Sequence, residues 1–238
     1  MKSSIYIALD FETKDEALDF LNQNELHEVP VKVGMQLFYK EGPSFIQSLK
    51  EKGHPIFLDL KLHDIPNTVY HAMKSLASLE VDLVNVHASG GLEMMKAAKE
   101  GLEDTCGKQA SKLIAVTQLT STSEEVLSNE LLINQPMDQV VRSYAQMAQK
   151  AGLDGVVSSV WEAQLIKESC GESFVTVTPG IRLINDATQD QKRIATPEQA
   201  SHSDFLVMGR SITTSRNPKK AYEQALKEWK HEYRQTTH

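Results

Sequence analysis

The sequence predicts an α/β protein folded as one (β/α)8 barrel, and three observations carry that expectation. Its 238 residues divide into eight units of about 30, the size of one strand-plus-helix repeat. Short β-rich runs alternate with helical patterns along the chain. Several runs are apolar on both faces, among them Ile5-Tyr-Ile-Ala-Leu9, Leu83-Val-Asn-Val86 and Phe205-Leu-Val-Met208, as a parallel sheet covered by helices requires.

Taken in order, the first run is Ile5 to Asp10, followed by a helix over Lys14 to Asn24 with Thr13 as its cap. Val31 to Met35 is the second run, with a helix from Gly42 to Lys52 stopped by Gly53. The third, Pro55 to Lys61, precedes a helix that starts at Pro66 and reaches Leu79. The fourth, Leu83 to Ala88, leads to a helix over Leu92 to Thr105, and the fifth is Lys112 to Leu119. A short helix is expected over Glu124 to Leu132 and a full amphipathic one over Met137 to Lys150. Gly155 to Ser159 and Phe174 to Thr178 are the sixth and seventh runs, with a helix over Trp161 to Ser169 between them. Residues 181–196 read as polar and irregular, and Pro197 to Ala200 as one helical turn. Phe205 to Gly209 is the eighth run, and the last helix spans Pro218 to Glu232. A doubly wound open sheet is the alternative, but the turn after its first strand is usually Gly-rich, and here it reads Asp10-Phe-Glu-Thr13.

Composition excludes several classes. Apolar residues make up 40% and charged residues 24%, as in ordinary globular proteins. The net charge of −7 argues against a nucleic-acid or anionic-membrane binder, while a local basic pocket for a small anion stays compatible with it. Cys106 and Cys170 form neither a disulfide framework nor a zinc spacing and suit a reducing cytoplasm. The N-terminus enters a strand directly, without the shape of a signal peptide, and no run is long enough for a transmembrane helix.

In a barrel of this kind the site lies at the C-terminal ends of the strands, so the residues that end each strand are the informative ones. They are Asp10; Lys32 beside Gly34; Asp59, Lys61, His63 and Asp64; Asn85 and His87; Thr117, Gln118 and Thr120; Thr178-Pro-Gly-Ile-Arg182; and Gly209-Arg210-Ser211. Charges at the rim of an apolar barrel must converge and pair, because an unpaired buried charge costs several kcal/mol. Asp59 and Lys61 are two apart and so share a strand face, with Lys32 on the neighbouring strand. Alternating carboxylates and ammonium groups keep each other ionised, giving a proton donor in a fixed polar field. Gly209-Arg210 after the eighth strand, with Arg182, fits the phosphate site common at that end of the fold.

Asp59-Leu-Lys61-Leu-His-Asp64-Ile-Pro-Asn-Thr68 resembles the DxKxxDIPxT signature of the orotidine 5′-monophosphate decarboxylases, in their compact bacterial form. The resemblance extends through Ile7-Ala-Leu-Asp10, Val31-Lys32-Val-Gly34, Val86-His87-Ala88, Val116-Thr-Gln-Leu-Thr120, Thr178-Pro-Gly-Ile-Arg182 and Val207-Met-Gly209-Arg210-Ser-Ile212. It implies cofactor-free and metal-free loss of CO2 from orotidine 5′-monophosphate, giving uridine 5′-monophosphate, with Lys61 as the proton donor to C6. Lys32, Asp59, Lys61 and Asp64 would form a charged tetrad, with Asp64 supplied across a homodimer interface. Asp10 and Lys32 would contact ribose hydroxyls, Thr68 the ribose from the partner chain, and Thr120 the pyrimidine. Arg182, Gln191, Gly209 and Arg210 would hold the phosphate, with 181–196 as a lid.

Magnesium-dependent sugar-phosphate enzymes such as 3-keto-gulonate-phosphate decarboxylase and hexulose-phosphate synthase share the Asp-x-Lys-x-x-Asp strand. Their second strand offers a carboxylate where this chain has Lys32, and a cation there repels Mg²⁺. A Schiff-base aldolase needs a neutral amine, which carboxylates flanking Lys61 oppose. A non-catalytic phosphate binder would have no need of Asp59 and Lys61, and both are present. His63, His87, Asn85 and Gln118 are expected as packed, hydrogen-bonded polar residues, and Trp161 and Trp229 as helix packing residues.

Overall fold

A computed structural model describes residues 4–107, 111–183 and 195–233. Its eight strands are all parallel and close into a barrel in chain order. They are β1 (Ser4–Ala8), β2 (Val31–Gly34), β3 (Ile56–Leu62), β4 (Leu83–His87), β5 (Lys112–Val116), β6 (Gly155–Val157), β7 (Val175–Thr178) and β8 (Phe205–Met208). Around them run α1 (Lys14–Gln23), α2 (Met35–Glu41), α3 (Pro43–Glu51), α4 (Pro66–Ala77), α5 (Gly91–Cys106), α6 (Met137–Lys150), α7 (Val160–Cys170), α8 (Arg210–Thr213) and α9 (Pro218–Tyr233).

The period of two along each strand sorts the core into two layers. Tyr6, Ala8, Phe57, Leu83, Ile114, Val116, Val157, Val177, Phe205 and Val207 form the inner one, filling the barrel. Tyr6 meets Phe57 edge-on at 5.9 Å and Phe205 at 5.8 Å between ring centroids. Each such buried ring contributes roughly 1.5–3 kcal/mol. The alternate residues, including Ile5, Ile7, Leu58, Val84, Val86, Leu113 and Leu206, pack outward against the helices. The same parity, carried one step past the inner layer, reaches Asp10 after Ala8, Asp59 after Phe57, Asn85 after Leu83 and Gly209 after Val207. On these strands the inward face therefore changes from apolar filling to polar residues or glycine toward the C-terminal end.

Several expectations need correction. The connection after β2 holds two helices rather than one from Gly42. Met35 opens α2 directly after the strand, and Gly42 (φ 68°) turns the chain into α3, whose first residue is Pro43. Residues 126–130 form a π-helical turn within the expected short helix. Between β7 and β8 the described residues hold a turn around 197–200, where one helical turn is expected. Trp161 is not a packing residue, being 59% exposed, whereas Trp229 is buried and donates from Nε1 to the Ala200 carbonyl. Ser159 and Glu162 cap α7 reciprocally, satisfying its first backbone amides.

Candidate active site

The inner face of the strand ends opens into a cavity of about 420 Å³. Asp10, Lys32, Asp59 and Lys61 line it from β1 to β3, Gln118, Thr120 and Ser121 after β5, and Arg182, Gly209 and Arg210 after β7 and β8, with Gly209 next to Asp10. The cavity floor is the top of the apolar barrel filling, at Ala8, Phe57, Val116, Val157, Val177 and Val207.

The charged residues form a chain of contacts. Lys32 Nζ stands 3.4 Å from Asp10 Oδ1 and 3.4 Å from Asp59 Oδ2. Asp59 Oδ1 accepts from Lys61 Nζ at 2.6 Å. A side chain at Gly34 would place its Cβ 3.3 Å from Lys32 Nζ, so glycine there leaves the ammonium its space. Asp59 is the buried centre, with its side chain 11% exposed, and Asp10 at the rim is 67% exposed. Burial opposes the Asp59 charge, but the Lys32 and Lys61 ammonium groups and the hydrogen bonds from Lys61 and Asn85 outweigh it. They hold the carboxyl below the usual carboxylate range.

The backbone route to this contact differs from the simple strand expected. From Leu58 to Leu62, β3 advances four residues while β4 advances only two, from Val84 to Val86. The surplus is a bulge over Asp59–Lys61. Lys61 sits in the left-handed region at φ 52°, which costs a non-glycine residue about 1–2 kcal/mol. Its amide, diverted from the ladder, donates to Asn85 Oδ1 at 2.7 Å, and Asn85 Nδ2 donates to Asp59 Oδ1 at 2.7 Å. Asp59 and Lys61 thus meet, as their spacing predicts, but across a bulge held by the next strand. Asn85, 1% exposed, is packed and hydrogen-bonded as expected, yet its partners are the two central residues of the array. Its inward parity on β4, two residues before His87, was the available signal.

Gln118 lines the cavity rather than packing away from it. His63 is exposed, and its ring centroid lies 5.8 Å from that of His87. Burial, and then the nearby His63 and Lys61, hold the His87 imidazole below its usual range. Asp64 is exposed, accepts from the Ile65 amide at 2.7 Å and does not line the cavity of its own chain. Thr68, in the first turn of α4, is likewise exposed and outside that cavity. Ile181 pairs with Ala195, and the Arg182 amide donates to the Ala195 carbonyl at 2.9 Å, joining the two described ends of the expected lid at the cavity rim. Gln191 lies outside the described residues.

The family model of orotidine 5′-phosphate decarboxylase / HUMPS matches residues 3–225. An orotidine 5′-phosphate decarboxylase of Bacillus cytotoxicus is 56% identical over 235 residues, covering 96% of this chain and 98% of its own. One from Bacillus mycoides is equally similar. Among solved structures, orotidine 5′-phosphate decarboxylase from Lactobacillus acidophilus superposes with a TM-score of 0.85 at 43% identity, covering 96% of this chain and 99% of that one. An uncharacterised conserved protein from Geobacillus kaustophilus does so with a TM-score of 0.83 at 48% identity, covering 94% and 99%. With a closed eight-stranded barrel and the Asp59-x-Lys61-x-x-Asp64 motif running from β3 into the loop after it, the chain belongs to the orotidine 5′-phosphate decarboxylase / HUMPS family.

Proposed function

We propose that this protein converts orotidine 5′-monophosphate to uridine 5′-monophosphate and CO2, the last step of de novo pyrimidine nucleotide synthesis. The observation that carries the reading is the Asp10–Lys32–Asp59–Lys61 chain of contacts in a cavity that Arg182 and Arg210 also line. The phosphate sits against Gly209, Arg210 and Arg182, with Gln191 assigned to the same side. Asp10 and Lys32 take the ribose hydroxyls, Thr120 the pyrimidine, and C6 faces Lys61.

The bond from C6 to the carboxylate breaks and its electron pair stays on C6. That pair lies in the ring plane, where the π system cannot delocalise it. An ammonium already fixed at this point stabilises the developing charge without reorganisation. Lys61 then gives its proton to C6 and is reprotonated from solvent. Asp59 keeps the ammonium ionised and aimed, and Lys32 balances the second oxygen of Asp59. Binding energy from the phosphate, remote from C6, organises the array. Lys32 also distinguishes this reading from the magnesium-dependent sugar-phosphate enzymes, because its ammonium stands between Asp10 and Asp59, where a divalent ion would need oxygen ligands.

The active form is a homodimer in which Asp64 and Thr68 complete the neighbouring site. Both are exposed and outside their own cavity, and Ile65 between them is an apolar side chain left 66% exposed. We place the protein in the cytoplasm, in keeping with its two cysteines, of which Cys170 is buried and free. No helix among the described residues is long and apolar enough to cross a membrane. The test follows the ultraviolet absorbance of orotidine 5′-monophosphate incubated with the protein, with and without EDTA. Equal loss of substrate absorbance in both arms is expected. No loss overturns the reading, and loss abolished by EDTA transfers it to the magnesium-dependent relatives.

A further inference from the structure

We propose that Asn85 is a positioning residue for the decarboxylation: its one carboxamide joins Asp59 to the backbone of Lys61 and so aims the ammonium. This rests on the decarboxylase reading above. The orientation of the amide is forced by its partners. The Lys61 backbone N–H, 2.7 Å away, can only donate, so the atom facing it is Oδ1. The Asp59 carboxylate, also 2.7 Å away, can only accept, so the atom facing it is Nδ2. The carboxamide carries an acceptor and a donor on one short planar group, and glutamine carries the same group one methylene further from the backbone.

The geometry explains why a bond is needed at this position. The bulge turns the Lys61 amide out of the β3–β4 ladder and into the left-handed region. A partly buried amide so displaced needs another acceptor. Asn85 supplies that acceptor from the adjacent strand. With its other end it shares Asp59 Oδ1 with Lys61 Nζ, closing a ring of Asn85, Lys61 backbone, Lys61 ammonium and Asp59. Lys61 is thereby held at both its backbone and its head group. Asn85 does not line the cavity and has no route to substrate, so its action is through these two residues.

Two variants test this with the native protein as control. In Asn85→Ala, kcat is expected to fall about 10–100-fold while KM changes less than about 3-fold, since a misaimed reacting group costs on that order. Asn85→Asp keeps the acceptor for the Lys61 amide but sets an oxygen against Asp59. The charged and titratable groups around it are Asp59 and Lys61 on β3, Lys32 behind Asp59 on β2, and His87 on β4 beside the exposed His63. Its β5 neighbour in register is Ile114, which is apolar. Two facing carboxyls share one proton more readily as pH falls. The ratio of Asn85→Asp to native kcat is therefore expected to rise at least several-fold from about pH 8 to about pH 5, as the proton restores a donor to Asp59. A purely structural role predicts a flat ratio. Melting temperatures accompany both variants, and Asn85→Asp, nearly isosteric, decides the matter if Asn85→Ala does not fold. Near-native kcat in a folded Asn85→Ala, a loss confined to KM, or a flat pH ratio overturns the proposal. An inactive native protein instead overturns the decarboxylase reading itself.

Discussion

Lys61 Nζ lies 2.6 Å from Asp59 Oδ1, although Lys61 sits in a bulge of the strand that carries both residues and stands at φ 52°. The contact is made by a bulge, not by regular pleating. The bulge brings an ammonium back over a carboxylate that is itself buried, and this gives the site a central ion pair with a fixed direction.

The first consequence is a pH-dependent stability term at Asp59. Burial raises its carboxyl, but Lys32, Lys61 and Asn85 outweigh burial and leave it below the usual range. A carboxyl depressed in the folded state contributes stability above its unfolded value of about 4 and loses it as pH falls through the folded value. Asp59→Asn should lower the unfolding free energy by roughly 1–3 kcal/mol near neutrality. The gap to the native protein should narrow below about pH 4. Urea unfolding at the two pH values measures it, and a gap that widens on acidification would refute the assignment.

Gly155 is expected to tolerate no side chain. It pairs in register with Val175, and a Cβ there would collide with the Val175 carbonyl oxygen, which is backbone and cannot swing away. Gly155→Ala should therefore lose about 1–3 kcal/mol by forcing β6 from β7. Thermal or urea unfolding checks this, and an unchanged midpoint would contradict the packing described here.

A shared site makes a prediction about mixtures. If Asp64 serves the partner, Lys61→Ala and Asp64→Ala proteins are each inactive alone. Denatured together at equal amounts and refolded, they form hybrid dimers with one intact site, so about a quarter of native activity should return. Recovery absent despite hybrid formation, shown by native mass spectrometry, would remove Asp64 from the neighbouring site.

Much of the fold was legible because strand burial on both faces leaves long apolar runs, and the eight runs are the eight strands. The charges of the site were legible for the converse reason: Asp59, Lys61 and Lys32 stand out at the ends of apolar strands. What escaped had no such contrast. α2 follows β2 directly, with Gly34 both ending the strand and standing at the N-cap, so no capping side chain marks its start, and Gly42 reads as the beginning of the next helix. Asn85 is neutral and sits inside an apolar strand, where a packed amide and a positioning amide look alike. The bulge at Asp59–Lys61 depends on which partner accepts the Lys61 amide, a relation between strands that no local pattern encodes.

Lys61 is the proposed donor of the proton to C6 of the decarboxylating pyrimidine nucleotide. The most direct measurement is a single turnover of orotidine 5′-monophosphate in D2O by the native protein and by Lys61→Ala. The native protein should release CO2 and give uridine 5′-monophosphate carrying deuterium at C6. Lys61→Ala should be slower by at least about 10³-fold, since it loses both the proton donor and the stabilising charge, while keeping a near-native melting temperature. A folded Lys61→Ala protein that turns over at close to the native rate, or a native product without deuterium at C6, would contradict it.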